Sequence, residues 1–282
     1  MNWEEKKMNS QRREEIFEQA KIWVEEAGNI IEERINDELV IDTKTHANDL
    51  VTEMDKDIEL FFANKIKEKY PTHLLLGEEG YGDDVQTLEG TIWIIDPIDG
   101  TKNFVHQKKN FAISVGIFHE GVGEIGFIYN VMADVLYSAK RNEGAYKNNV
   151  RMKPLNKEVN FEEAIFAFKH DLLCKSKDFD AELIEDFVNE IRGARYGGAA
   201  ALEIAQVAEG IVDGYISKRL SPWDVAAGIV IMNEVGGIVN RSNSDSVNML
   251  EKGTIVACNE VLSEKIFKYL KNWNRQEHSI KG

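Results

Sequence analysis

The chain has 282 residues, of which 43% are hydrophobic and 29% charged, and a formal net charge of −15. That length points to one large or two closely packed domains, and the acidic balance disfavours a general nucleic-acid or anionic-membrane surface. No apolar run reaches the length of a membrane span. The charged N-terminus through Arg13 lacks the core of a signal peptide, and Cys174 and Cys258 have no ligand-like spacing, which together fit a reducing cytoplasm.

In chain order, residues 11–34 are predicted to form an amphipathic helix, with Ile16, Ala20, Trp23, Ala27, Ile30 and Ile31 at helical spacing. A second helix is expected over 53–70, with Ile58, Phe61, Phe62 and Ile66 inward and Pro71 ending it. Asp55 lies in its first turn, where an acid suits the helix dipole. Leu74, Leu75 and Leu76 make a short strand ending at Gly77. Glu78 and Glu79 follow, either as an exposed acidic loop or as a site at a strand end.

The stretch 91–104 organises the chain. It opens as a buried strand, which is expected to stop at Asp96 because Pro97 cannot extend a hydrogen-bonded ladder. Asp96 and Asp99 then flank a turn. They are either ordinary turn acids or, with the Ile98 carbonyl between them, an oxygen-rich corner of the kind hard divalent cations need. Gly100 allows close backbone approach, and Thr101 sits at a predicted helix start, where free N–H groups favour anions.

Residues 111–118, 124–129 and 135–139 then read as an antiparallel meander. This gives a first domain, residues 1–150, of two helices on a sheet. Residues 151–282 alternate between strand and helix, an α/β signature. Strands are expected at 164–168, 211–216, near Gly237 and at 254–257, and helices at 179–191, from Gly197-Gly198-Ala199 to Glu209, and from Ser221. Residues 272–282 read as a frayed tail. No Gly/Ser-rich linker separates the halves, so they are expected to share an interface. Ser221-Pro222-Trp223-Asp224 is a helix-start pattern in which Asp224, taken alone, is a capping acid.

Asp96-Pro97-Ile98-Asp99-Gly100-Thr101 resembles the signature of the inositol monophosphatase family, magnesium-dependent and lithium-sensitive phosphatases. Asp49-Leu50-Val51-Thr52 with Asp55, Gly77-Glu78-Glu79, and the run Trp223-Asp224-Val225-Ala226-Ala227-Gly228 are similar to three further family motifs. All four occur in order across nearly the whole chain. The resemblance implies an α+β / α/β fold, a layered αβαβα sandwich of the inositol monophosphatase and sugar phosphatase type, and a homodimer. It implies metal ligation by Glu78, Asp96, Ile98 through its carbonyl, Asp99 and Asp224. Catalytic roles fall to Thr101, Asp55 and Glu78, and substrate approach to Gly100, Thr101, Gly198, Ala199 and Asp224.

Four carboxylates in one cleft repel by several kcal/mol per pair at roughly 4 Å and an effective dielectric near 20. Two or three Mg²⁺ would relieve this, and oxygen donors without convergent His or Cys favour Mg²⁺ over Zn²⁺. The chemistry then expected is in-line attack on phosphorus by a metal-activated water, with help from Thr101 and Asp55. His106 reads as structural.

The sequence departs from the family at two places. Inositol-selective members carry a glutamate seven residues before the Trp-Asp aspartate, and here that position is Ser217, followed by Lys218 and Arg219. Lys102, after Thr101, resembles relatives acting on nucleotide phosphates. Lys218 and Arg219 are either a solvated loop or a docking point for a second phosphate. The leading expectation is a phosphomonoesterase of broad range acting on inositol monophosphate and related small esters. The same site would also suit NADP(H) 2′-phosphate, fructose 1,6-bisphosphate or 3′-phosphoadenosine 5′-phosphate. A regulatory partner-binding protein that keeps the fold is the alternative from another class, and the intact ligand set argues against a pseudo-enzyme.

Overall fold

The computed structural model describes residues 8–38, 41–43, 50–169, 172 and 181–274. Asp49, Cys174, the start of the helix expected over 179–191 and the tail beyond Asn274 lie outside them. The first half comprises α1 (Ser10–Arg34), the hairpin β1 (Ile41–Thr43) and β2 (Leu50–Thr52), α2 (Glu53–Lys69), β3 (Leu74–Gly77), β4 (Thr91–Asp99) and α3 (Thr101–Gln107). It continues through β5 (Ala112–His119), β6 (Val122–Asn130), β7 (Val135–Lys140), β8 (Gly144–Lys147) and β9 (Val150–Arg151). The strands from β3 to β9 form one seven-stranded sheet in sequence order, antiparallel except for the β3–β4 pair.

The second half runs β10 (Ile165–Phe168), α4 (Ala181–Glu190), β11 (Gly193–Arg195), α5 (Ala200–Glu209), β12 (Gly214–Leu220), α6 (Pro222–Glu234), β13 (Gly237–Arg241), β14 (Gly253–Asn259) and α7 (Ser263–Asn274). Its sheet has the order β11-β10-β12-β14-β13 and is mixed, with β14 antiparallel to both neighbours. Three details differ from the sequence expectation. The strand expected at 211–216 begins at Gly214, because Gly210 closes α5 in the left-handed conformation and Asp213 accepts a hydrogen bond from the Ile165 N–H. Residues 272–274 belong to α7 rather than to a frayed tail. The third is β4, which does not stop at Asp96.

Strand alternation builds the layers. On β4, Trp93 and Ile95 face a core shared with α1 and α2, whereas Ile92 and Ile94 face a core shared with α5 and α6. On the other sheet, Ala167, Tyr215, Ile255 and Ala257 join that α5–α6 core. Phe166, Phe168, Ile216, Val256 and Cys258 turn instead to a third core with Phe187 and Leu270. The result is five layers, αβαβα. Helix α6 lies between two sheets and is apolar nearly all round, with only Trp223, Asp224, Ile229, Asn233 and Glu234 less than fully buried.

Its small residues set how close it comes. A Cβ on Gly116 would lie 2.6 Å from the Ala226 Cβ, one on Gly126 2.5 Å from the Ala227 carbonyl oxygen, and one on Gly228 2.6 Å from Ile204 Cγ2. The Ala-Ala-Gly run therefore seats α6 directly on β5, β6 and α5, and this places Asp224 next to the end of β4. No helix among the described residues is long and apolar enough to cross a membrane.

Candidate active site

Asp96 and Asp99 are three residues apart, so a regular strand would send them to opposite faces. Instead β4 carries a bulge: Asp96 pairs with Ser114 and Asp99 with Ala112, leaving Pro97 and Ile98 opposite one residue of β5. The extra residue restores parity and turns both carboxylates to the same side. Pro97, which lacks an N–H, sits inside the irregularity, which is why the strand passes through it. Asp96 Oδ1 accepts the Ile98 N–H at 3.0 Å and bridges the bulge.

Helix α6 supplies the third acid. Asp224 accepts the Ser221 N–H at 2.6 Å, the capping role its sequence context indicates. One carboxylate oxygen from each of Asp96, Asp99 and Asp224 falls within 4.8 Å of the others. Burial raises the Asp96 carboxyl well above the usual carboxylate range, helped by the charges of Glu78, Asp99 and Asp224. Asp99 is likewise raised by burial and then by Asp224, against hydrogen bonds from the Ala201 and Ala200 N–H groups. Asp224 is raised to about 7 by burial and the Glu78 charge, opposed by the Ser221 hydrogen bond and by Lys169 and Lys252. Glu78, half-buried at the end of β3, thus acts electrostatically on all three.

Closely spaced carboxylates held above their ordinary range, with oxygen donors and no His or Cys among them, suit a hard divalent cation. In the described residues this donor set fits Mg²⁺.

Helix α2 brings a second constellation. Asp55 Oδ2 accepts the Thr52 N–H at 2.8 Å and the Thr52 hydroxyl, closing a capping box. Its other oxygen, Oδ1, lies 3.2 Å from Thr101 Oγ, which is also 3.2 Å from the Ile98 carbonyl. One turn further along α2, the fully buried Glu59 accepts the N–H groups of Glu79 (2.6 Å) and Tyr81 (2.8 Å) and so fixes the loop carrying Glu78.

The two halves meet at Gly100. Its φ of 91° is left-handed, and a Cβ there would lie 2.9 Å from the Ala199 Cβ. Asp99 reaches across this contact, accepting the Ala200 N–H at 3.0 Å and the Ala201 N–H at 2.7 Å, so the first amides of α5 hold a carboxylate of the site. Buried Asn103 donates to the carbonyls of Asn110 and Gly197, both at 2.8 Å. Glu203 accepts from the Gly197 N–H and, at 3.3 Å, from the Gly198 N–H. Sequence reasoning noted Thr52 only as part of a motif and passed over Glu59, Asn103 and Glu203. Their only local signal is an acid one helical turn after Asp55.

A cavity of about 120 Å³ opens from Asp99 and Asp224 and is lined further by Lys169, Tyr196, Gly198, Glu203, Tyr215 and Arg219. The remaining sequence-predicted substrate residues fall as follows. Ala199 is buried against Gly100 and does not line this cavity. Ser217 is fully buried, its hydroxyl 3.4 Å from the Lys218 carbonyl, and it offers no face to a ligand. Lys218 and Arg219 do not form a solvated loop: they occupy an irregularity of β12 between Ser217 and Leu220, where Lys218 is buried away from the cavity and Arg219 takes a φ of 56° at its edge. Lys102 and His106 are exposed on α3.

Residues 12–275 match the family described as the inositol monophosphatase family. The chain is 48% identical over 254 residues to the inositol-1-monophosphatase of Bacillus subtilis (strain 168), covering 90% of this chain and 96% of the relative. It superimposes on crystal structures of SaIMPase-II bound to inositol monophosphate (39% identity, TM-score 0.83, 94% and 96% coverage) and to 2′AMP (40%, 0.85, 94% and 97%). It also superimposes on an IMPase/NADP phosphatase complexed with Mg²⁺ and phosphate (27%, 0.83, 91% and 95%).

A five-layer sandwich with a carboxylate trio, two of its members buried, at the meeting of its halves defines a class, the phosphoric monoester hydrolases whose sites suit a hard divalent cation. Within that class, this chain belongs to the inositol monophosphatase family.

Proposed function

We propose that the protein is a Mg²⁺-dependent phosphatase of inositol monophosphate and related small phosphate esters, with a broad range. The observation that carries the reading is the convergence of Asp96, Asp99 and Asp224 beside the Thr101–Asp55 pair. Glu78, Asp96, Asp99, Asp224 and the Ile98 carbonyl would hold two or three Mg²⁺. When bound, the ions supply Lewis acidity toward phosphoryl and leaving oxygens and make water a better nucleophile at neutral pH.

The chain's own residues do the rest. Thr101 Oγ has one proton and two acceptors, Asp55 Oδ1 and the Ile98 carbonyl. With that proton donated, its lone pairs are left to accept one from a water on the cavity side. Asp55, fixed by both Thr52 donors, holds Thr101 in that orientation and is the acidic terminus of the relay. The N–H groups of Gly100 and Thr101 are assigned to the phosphoryl oxygens, and Gly198 to the alcohol side.

Relatives crystallised with inositol monophosphate or 2′AMP, and another named an NADP phosphatase, support a range wider than inositol. The proposal includes a cytoplasmic homodimer inhibited by lithium. A phosphate-release panel across inositol 1-phosphate, 2′-AMP, NADP⁺, 3′-phosphoadenosine 5′-phosphate and fructose 1,6-bisphosphate, with and without Mg²⁺, tests it. Metal-dependent release from inositol 1-phosphate is expected, and no release from any substrate would overturn it.

A further inference from the structure

We propose that Glu203 is a specificity-determining residue: the second oxygen of its buried carboxylate accepts a hydroxyl of the substrate's alcohol part, so that polyol phosphates are preferred to alkyl phosphates of the same skeleton. This rests on the phosphatase reading above and assigns the residue that reads the substrate at that same site.

Glu203 stands in the first turn of α5 and is 2% exposed, yet it lines the cavity that opens from Asp99 and Asp224. Its Oε1 accepts the Gly197 N–H and, at 3.3 Å, the Gly198 N–H. Its Oε2 has no hydrogen-bond or ion-pair partner among the described residues. A carboxylate oxygen buried without a donor is costly, so one on a cavity wall calls for a donor that arrives with a ligand. Capping the loop does not account for it. One oxygen serves both N–H groups, and the carbonyl of an amide would do the same.

The oxygen is placed on the alcohol side. Asp99 and Asp224 mark where the phosphoryl group is held, and Glu203 lines the same cavity with Tyr215 and with Gly198, whose N–H it fixes. Burial raises the Tyr215 hydroxyl well above its ordinary range, and against a hydrogen bond from Ser217 the charges of Glu203, Asp99 and Asp224 add to this. The three acids therefore surround one space. Glu203 is not among the three carboxylates whose oxygens converge, so it stays available to a hydroxyl when those hold a cation. Ser217, fully buried, offers no second acceptor there. A substrate hydroxyl gives Oε2 a charge-assisted hydrogen bond, whereas an alkyl group in its place leaves Oε2 unpaired. Space suits a polyol: Glu203 and Tyr196 line both this cavity of about 120 Å³ and a neighbouring one of about 370 Å³.

The test compares matched substrates that share a carbon skeleton and differ in hydroxyls: inositol 1-phosphate with cyclohexyl phosphate, and glycerol 2-phosphate with isopropyl phosphate. For the full-length protein with Mg²⁺, kcat/KM is expected to favour the polyol of at least one pair by about 10- to 100-fold, the discrimination of a hydrogen bond to a charged group. Two variants then isolate the oxygen. Glu203→Gln can keep the loop contact but turns an amide NH₂ toward the hydroxyl, and Glu203→Asp keeps the charge on a shorter stem that withdraws it from the cavity. In both, the polyol-to-alkyl ratio should fall by about tenfold. A purely structural role would lower both members of a pair alike, and because each ratio is taken within one protein, a misfolded fraction cancels. A wild-type ratio near one for both pairs, or a ratio unchanged in whichever variant folds, overturns the role of Glu203 and leaves the phosphatase reading standing. Absence of release from all four substrates overturns that reading and the role with it.

Discussion

Thr101 is the residue whose role the geometry states most sharply. Its hydroxyl links the acid of α2 to the end of β4, so Thr101→Ala should lower kcat by roughly 10²- to 10⁴-fold while leaving Mg²⁺ affinity near wild type. Steady-state kinetics combined with a Mg²⁺ titration read both, and wild-type kcat would remove the relay. Gly100 is constrained differently. Alanine there meets the Ala199 Cβ at 2.9 Å and adopts an unfavourable φ, costing about 1–2 kcal/mol from the backbone alone. Thermal unfolding of Gly100→Ala should show a fall in Tm of several degrees, and an unchanged Tm would contradict the close approach. Asp96, Asp99 and Asp224 were singled out in the sequence only through the family motifs, since taken alone the first two read as turn acids and Asp224 as a capping acid. Lys169 was not, because nothing near it indicates that β10 lies beside β12. The β4 bulge was hidden for a related reason: Pro97 reads as a strand end unless the parity of the two aspartates is known.

At the scale of elements, two helices aim the chemistry. Helix α2 presents Asp55 to Thr101 and Glu59 to the loop of Glu78, so Glu59→Gln, which places an amide against two N–H donors, should weaken apparent Mg²⁺ affinity about 10- to 100-fold, as loss of outer-sphere support does. Calorimetric Mg²⁺ titration of the variant decides this, and unchanged affinity would detach Glu59 from the site. Helix α6 sets the position of Asp224 through its small face. Gly126→Ala puts a methyl 2.5 Å from the Ala227 carbonyl and should cost about 1–3 kcal/mol. The helices, the meander and most strands were readable from periodicity and turn residues. The place of α5 and α6 between two sheets was not, since an apolar run records burial without saying how many layers provide it. Helix α7 and strand β11 were missed outright, the strand because three residues carry too little period to read.

For the whole molecule, the site couples stability to pH and metal. Asp224 is raised to about 7, and Asp96 and Asp99 move in the same direction. The folded chain therefore keeps protons that the unfolded chain has released, so metal-free protein should lose stability as pH rises from about 4 to about 7. Mg²⁺ replaces those protons, so the Tm increase it produces should grow between about pH 5 and about pH 8. Melting curves with Mg²⁺ and with EDTA across that range read the effect, and an increase independent of pH would contradict it. The layered architecture was accessible from the sequence only through the family motifs, because the shared core joins residues from Ile92 to Ala257 that no local pattern connects.

The central claim is that Asp96, Asp99 and Asp224 hold the Mg²⁺ on which phosphate release depends. The most direct measurement is Mg²⁺-titrated phosphate release from inositol 1-phosphate by chelated wild type and by Asp96→Asn, Asp99→Asn and Asp224→Asn. Activity should vanish on chelation and return with Mg²⁺ in the wild type. Each variant should need far more Mg²⁺ and turn over more slowly. Full activity after rigorous chelation, or variants with the wild-type Mg²⁺ response, would contradict the account.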